Sequence, residues 1–452
     1  MQERWKKYLL LDNRVVASCR GVRLAVGRVV KHAGNPLFVQ DKAWEPRFDN
    51  GYPNIIYDQQ EQIYKCWYTT FVIDKAQQMT PRAKRRRGGY FAVARTLDKS
   101  EPWRVVGLCY ATSRDGLRWT KPCLDVCSWN GKPSSVLGVG PHGAGVVKDL
   151  SDADPGRRYK MFMLDDRIPG MAVAFSADGV HWSASHACPE MSARGDAHNN
   201  ALWVSELQRW VGITRTWDNV ARQRLVARTE SQDFLHWTPA VEILRGEGTR
   251  QIYSMCVFPY AGVYLGLMMI FDTASDRVNV ELAWSPDTIA WQRIDPGTPL
   301  IANAKRRGAY DWGTVYAAAC PVDCGDNIRL YYIGGDGCHT DWRDGCLALA
   351  TLRPDGFAGY EPTAAQGQIT THPLRWGGAL RVWADVGRGG LLTASVLLNG
   401  REVAHSEALA RSGSGALLRW ADKERLGALT GKSVQLKFHL RAAKLYSFER
   451  SY

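Results

Sequence analysis

The sequence predicts an all-β chain, a five-bladed β-propeller over residues 31–365 followed by a C-terminal antiparallel β-sandwich over residues 366–452. Three observations predict it. A seven-residue pattern, S-x-D-x-x-x-W, recurs as SRDGLRW from Ser113, SADGVHW from Ser176, SQDFLHW from Ser231 and SPDTIAW from Ser285, at steps of 63, 55 and 54 residues. Upstream of each copy, and once more after the last, lie a strand, a polar turn and a second strand, as in YPNIIYDQQEQIYKCWYTTF and NNALWVSELQRWVGITRTW. Beyond residue 365 the pattern gives way to alternating strands such as GLLTASVLLNGREV and SVQLKFHL, joined by short Gly, Asn and Asp turns.

The elements follow in order. Residues 1–30 hold two strand-like runs, YLLLDNRVVAS and VRLAVGRVV, whose attachment to propeller or sandwich stays open. The repeated pattern reads as a hairpin in which Asp bonds amides of its own turn, Gly tolerates a positive φ and Trp covers the blade's edge. Trp119, Trp182, Trp237 and Trp291 are therefore packing residues. Five strand pairs, each followed by a further strand and turn, make five units of about four strands, and radial repetition buries each sheet between its neighbours. TLRPDGFAGY, with Asp355 and Tyr360, reads as a decayed fifth copy. The alternating C-terminal strands make a small antiparallel sandwich.

Bulk properties exclude several classes. At 452 residues, 45% apolar and with 18 tryptophans, the chain is folded and larger than one ordinary core. No long uncharged apolar run and no signal-like start is present, so no membrane partner and a cytoplasmic location are expected, or a periplasmic or secreted one if a leader has been removed. Eleven scattered cysteines read as reduced thiols. The net charge is +13, and PRAKRRRGG at 81–89 carries five basic residues, read as a solvated loop or a contact between subunits of a homo-oligomer. With no nucleic-acid-binding signature beside it, nucleic acid is not an expected partner. No cofactor and no metal are expected, since His142, His198 and His339 lack close-spaced companion ligands, the alternative being a structural ion or one that these histidines hold in the funnel with a nearby aspartate.

Five blades closed by these turns and followed by a sandwich ending in GKSVQLKFHLRAAKLYSFE resemble the five-bladed propeller glycoside hydrolases, the broad group around glycoside hydrolase families 32, 43, 62 and 68. The resemblance implies exo-cleavage of furanosides or related sugars by carboxylates at the starts of the innermost strands, facing a central funnel. The W-M-N-D-P-N-G, R-D-P and E-C elements of the fructosidase-like families are absent. Where the arabinofuranosidase-like pattern has Asp before Pro, this chain has Tyr52. Sialidases need six blades and three substrate-binding arginines, which five units do not fit.

In a propeller the residues just before each innermost strand line the funnel. The first blade offers Trp44, Glu45, Asp49 and Tyr52, and the second His142. The third offers Arg194, Asp196, His198 and Asn199, the fourth Glu247, Arg250 and Tyr253. The fifth offers Asp311 and Trp312, with Asp336 and His339 on a later loop. Glycoside cleavage needs two carboxyl groups flanking one bond. Asp196, beside His198 and Asn199, is the leading catalytic residue, and its partner comes from Asp49, Glu45, Glu247 or Asp311. Trp44 and Trp312 are platforms for a sugar ring. The expected function is an exo-acting glycosidase with an oligosaccharide or glycoside substrate. The alternatives are a carbohydrate-binding propeller without catalysis and a glycoside phosphorylase or transferase, for which Arg194 and Arg250 are the visible phosphate donors.

Overall fold

In the computed structural model, which describes residues 5–421 and 423–451, the chain is a five-bladed β-propeller followed by a β-sandwich. From the axis outwards the first blade is Asn54–Asp58, Ile63–Asp74, Arg104–Ser113 and Val136–Val139. The second is Pro141–Lys148, Tyr159–Asp165, Met171–Ser176 and His186–Ala187, and the third Asn200–Val204, Arg209–Asp218, Gln223–Ser231 and Val241–Arg245. The fourth is Arg250–Tyr260, Val263–Asp272, Arg277–Ser285 and Gln292–Ile294. The middle strands are buried on both faces because each sheet is sandwiched between its neighbours; Val263–Asp272 is buried at nine successive positions.

The fifth blade closes the ring. Its inner three strands are Thr314–Ala317, Ile328–Gly335 and Gly345–Leu352, and its outer edge comes from the other end of the chain. Val30–Lys31 and Phe38–Val39 pair antiparallel with Gly345–Leu352, Lys31 opposite Ala350 and Phe38 opposite Leu347. The strands before them join the sandwich: Trp5–Leu9 pairs with Ser433–Ser451, Val16–Arg20 with Gly367–Thr371 and Val22–Val26 with Ala358–Pro362. The two long strands Leu380–Leu398 and Ser433–Ser451 form the sandwich's spine, over a core that includes Trp376, Val382, Leu436 and Phe438.

The repeated turns have one geometry. At Ser176 the Gly179 amide donates to the Ser176 hydroxyl at 2.9 Å, and the amides of Val180 and His181 donate to one carboxylate oxygen of Asp178 at 2.7 and 2.8 Å. The Trp182 indole donates to the Gly179 carbonyl at 3.1 Å. The Asp and Trp bonds recur in the other three copies. The fourth position has positive φ in all of them, Gly116 and Gly179 in two, but Phe234 at 66° and Thr288 at 68° in the others. The segment read as a fifth copy sits at the equivalent place after the fifth blade's third strand, yet Asp355 has become a joint between the two parts. It accepts from Tyr260 at 2.7 Å and Ser447 at 2.5 Å and pairs with Lys7 at 2.8 Å. Tyr360 lies in a strand of the sandwich.

One insertion departs from the blade plan. Between the first blade's second and third strands the chain forms helices Lys75–Met79 and Tyr90–Thr96, the first capped by Asp74, whose carboxylate accepts from the Gln77 amide at 2.9 Å. The insertion crosses to the fifth blade, where Arg82 and Arg85 pair with Asp336 and Asp344 and Tyr90 packs edge-on to Trp342.

Candidate active site

The first four blades, the insertion and the loop 336–344 enclose a cavity of about 350 Å³ at the propeller axis. Asp49, His142, Asp196, Tyr253 and His339, all named above from the sequence, line it. So do Arg104 and Asp166, which sequence reasoning missed.

Asp49 stands in a turn of unusual backbone. Its φ is 52° and that of Tyr52 is 42°, a left-handed conformation costly for a bulky side chain, held by the buried surroundings of Tyr52. Arg343 fixes the turn: one guanidinium nitrogen donates to Asp49 Oδ1 at 2.8 Å and to Asn50 Oδ1 at 2.9 Å, and Nε donates to the Asp49 carbonyl at 3.2 Å. The Asn50 amide donates to the hydroxyl oxygens of Tyr52 and Tyr253 at 2.6 and 3.1 Å. Burial opposes charge on Asp49, but Arg343, then Arg47 and Arg104, outweigh it and hold the carboxyl below its ordinary range.

Asp196 comes from the third blade by a close approach of backbones. A Cβ at Gly143 would lie 1.6 Å from the Ala197 carbonyl, so only glycine lets the second blade's inner strand pass, with φ at 57°. Asn199 ties the loop by donating to the carbonyls of Gly143 and Gly195 at 3.0 and 2.8 Å. Arg215 donates to Asp196 Oδ2 at 2.5 Å. His142 lies between two carboxylates, with Nε2 3.6 Å from Asp196 and Nδ1 3.6 Å from Asp166. Burial disfavours its charge, yet Asp166, Asp196 and Asp49 together raise its pKa above the ordinary imidazole value. His339 goes the other way: burial, then Arg343, push it well below, and its Nδ1 meets the Tyr316 hydroxyl at 2.8 Å. Burial first, and then carboxylates that include Asp196 and Asp49, push the hydroxyls of Tyr52 and Tyr253 upward. Two carboxylates from different blades thus bear on the same histidine and the same two tyrosines.

The other sequence-named residues lie elsewhere. Glu45 is buried, its oxygens taken by the Tyr68 hydroxyl at 2.5 Å and Lys121 at 2.6 Å, and Trp44 donates to Ser135 at 2.9 Å. Glu247 is exposed, 3.8 Å from Arg293, and Arg250 pairs with Glu281. Asp311 is buried in the fifth blade against Lys31 and Tyr332. Arg194 is exposed. His198 lies buried beside Tyr52 and bonded to Cys256, its pKa lowered by burial to about 3, and Asn199 positions the loop rather than facing the cavity. Tyr52 packs against His142 and His198. Trp312 and Asp336 line a different cavity. The missed Asp166 sits in a strand-end turn, MLDDRIPG, whose paired aspartates were the available signal; nothing in TDWRDG marks Arg343 as a buried residue.

Among the described residues no group of three His, Cys, Asp or Glu side chains is placed to hold a metal ion, and no helix is long and apolar enough to cross a membrane. No protein-family profile and no curated protein sequence matches the chain. Solved structures with a similar backbone include one described as showing that the GH130 family of mannoside phosphorylases contains glycoside hydrolases that target β-1,2 mannosidic linkages in Candida mannan. It is 16% identical over 75% of this chain and 97% of that one, with a TM-score of 0.47. A glycosyl hydrolase from Bacteroides ovatus is 15% identical over 75% and 98%, also at 0.47. An N-acetylgalactosamine deacetylase from F. plautii, in complex with blood group B trisaccharide, is 13% identical over 74% and 96%, at 0.43.

Proposed function

We propose that the chain is a carbohydrate-active enzyme that cleaves a glycosidic bond at the propeller axis, with Asp196 and Asp49 as its two carboxylates. The observation that carries this reading is that they come from different blades, line one cavity and both raise the proton affinity of the histidine in it. Asp196 relays to the leaving glycosidic oxygen a proton taken from His142, whose Nε2 lies 3.6 Å away. Asp49, kept ionised by Arg343, takes a proton from the attacking water, whose oxygen bonds to the anomeric carbon as the glycosidic C–O bond breaks. Glu45, Glu247 and Asp311 have no part in this scheme, since their oxygens are engaged or exposed outside the cavity.

A second reading, phosphorolysis, is favoured by one observation. Arg47 lines the cavity with two guanidinium nitrogens that lack a hydrogen-bond partner among the described residues, and Arg215 has one such nitrogen beside Asp196. These nitrogens are themselves buried, so they would pair with a phosphate only after turning toward the cavity, and Arg194 and Arg250 do not line it. Turnover of a panel of aryl glycosides and plant or algal oligosaccharides, with and without inorganic phosphate, tests both. Asp196→Asn and Asp49→Asn should each lower turnover at least about a hundredfold. Unchanged turnover in either removes that residue from the scheme, a sugar phosphate product assigns phosphorolysis, and binding without any turnover assigns a carbohydrate-binding propeller.

A further inference from the structure

The basic run in PRAKRRRGG has a counterpart 220 or so residues away, and the fold brings the two together. Lys84, Arg85, Arg86 and Arg87 lie in the insertion of the first blade; Lys305, Arg306 and Arg307 lie in the loop leading to the fifth. Arg82, Arg85 and Arg87 from one side and Arg307 from the other line a single cavity of about 260 Å³, walled by Trp312 and Trp342. Arg82 pairs with Asp336 at 2.6 Å and with Asp344 at 2.8 Å, and Arg85 pairs with Asp344 at 2.9 Å. The third acid, Asp341, accepts from the Gly88 amide at 2.6 Å. Arg87 and Arg307 have no carboxylate partner among the described residues, and Arg307 lies over the Trp312 ring, 5.5 Å from its centroid. Guanidinium groups gathered around a concave surface repel one another across less than a Debye length, a cost that an anion in the cleft removes.

The cavity also adjoins the candidate active site. Gly337, Cys338, Asp341 and Trp342 face it, while His339 and Thr340 of the same loop face the funnel. Arg343, which holds Asp49, lines it as well. We propose that this cavity is a subsite for an anionic sugar unit, binding the carboxylate or sulfate of an acidic glycan whose neighbouring unit enters the funnel. The proposal rests on the carbohydrate reading above and names its substrate class. Arg87 and Arg307 supply the forked donors that match a carboxylate or sulfate, and Trp312 keeps the second of them flat and oriented.

The test is calorimetric binding to full-length Asp196→Asn protein, in which turnover is suppressed, of oligogalacturonate, of a chondroitin sulfate oligosaccharide, and of a neutral manno-oligosaccharide of equal length. At least one acidic chain should bind more tightly than the neutral one, with an affinity that falls as NaCl is raised; which of the two it is identifies the anion. Adding Arg87→Ala and Arg307→Ala, both at exposed positions, should weaken that chain about tenfold and leave the neutral one unchanged. Arg87→Lys with Arg307→Lys should recover part of the loss, which misfolding would not allow. Equal binding of neutral and acidic chains, absence of acidic-chain binding, an unchanged affinity in the double alanine variant, or tighter binding of a single-stranded DNA oligomer of the same charge would each overturn the proposal. If Asp196→Asn still cleaves the chain, the catalytic scheme fails while the binding comparison stands.

Discussion

At the scale of single residues the site is governed by where protons reside. His142 carries its proton more readily than an ordinary imidazole because Asp166, Asp196 and Asp49 outweigh the cost of its burial. A histidine whose folded pKa is raised stabilises the fold fully below its unfolded value, and that contribution is lost as pH rises through the elevated one. His339, held neutral by burial and Arg343, does the reverse, and its environment costs stability once the pH falls below the ordinary imidazole value. Titration of the imidazole resonances should therefore place the His142 midpoint above an ordinary histidine's and His339 well below. Asp166→Asn and Asp196→Asn should each move the His142 midpoint down; a midpoint that moves in neither variant would contradict the proton supply assigned to Asp196. That Asp49, His142, Asp196, Tyr253 and His339 line one cavity was legible because all but one stand just before or within an innermost strand, where the blade plan aims side chains at the axis. Glu45, Glu247 and Asp311 stand at equivalent places, yet each is drawn aside by surroundings the sequence does not display, a lysine 76 residues on for Glu45 and open solvent for Glu247.

At the scale of elements the repeated turn was the clearest signal, since its Ser, Asp and Trp each make a bond within seven residues and need no distant partner. What local pattern could not reveal was Phe234 and Thr288 holding the left-handed position that Gly116 and Gly179 occupy at no steric cost. The Asp is the element's keystone because it satisfies two amides that the turn directs away from the sheet. Asp178→Ala should cost about 1 kcal/mol, the usual value for losing a carboxylate that caps free amides, read as a lower denaturation midpoint. Asp178→Asn, which keeps the accepting oxygen, should recover most of it, and equal losses for the two variants would mean that the charge, not the two amide bonds, supports the turn. The insertion bearing both short helices was visible only as a basic run, because helices of five and seven residues hold too little periodicity to register.

At the scale of the whole molecule, the sequence announces five blades but not how the ring is fastened, because the fastening joins residues about 300 positions apart. The segment left unattached in the sequence reading divides its strands, with Trp5–Leu9, Val16–Arg20 and Val22–Val26 in the sandwich and Val30–Lys31 with Phe38–Val39 along the fifth blade. Each closing strand is two residues long, so few backbone bonds hold this edge, and an ion pair stands beside them. Lys31 donates to Asp311 Oδ2 at 2.5 Å, and Tyr332 donates to the same oxygen at 2.9 Å, while Oδ1 has no partner among the described residues. Asp311 is fully buried. Removing its cation leaves a carboxylate in the interior with one hydroxyl donor, a situation that costs about 3 kcal/mol. Lys31→Met should therefore destabilise the chain by about that amount, and Asp311→Asn added to it should restore part of the loss, since a neutral amide needs no cation. The double-mutant cycle reads the coupling directly. A loss for Lys31→Met that Asp311→Asn leaves untouched would mean that the ring is held by its strand pairing alone, with the buried aspartate a passenger at the seam.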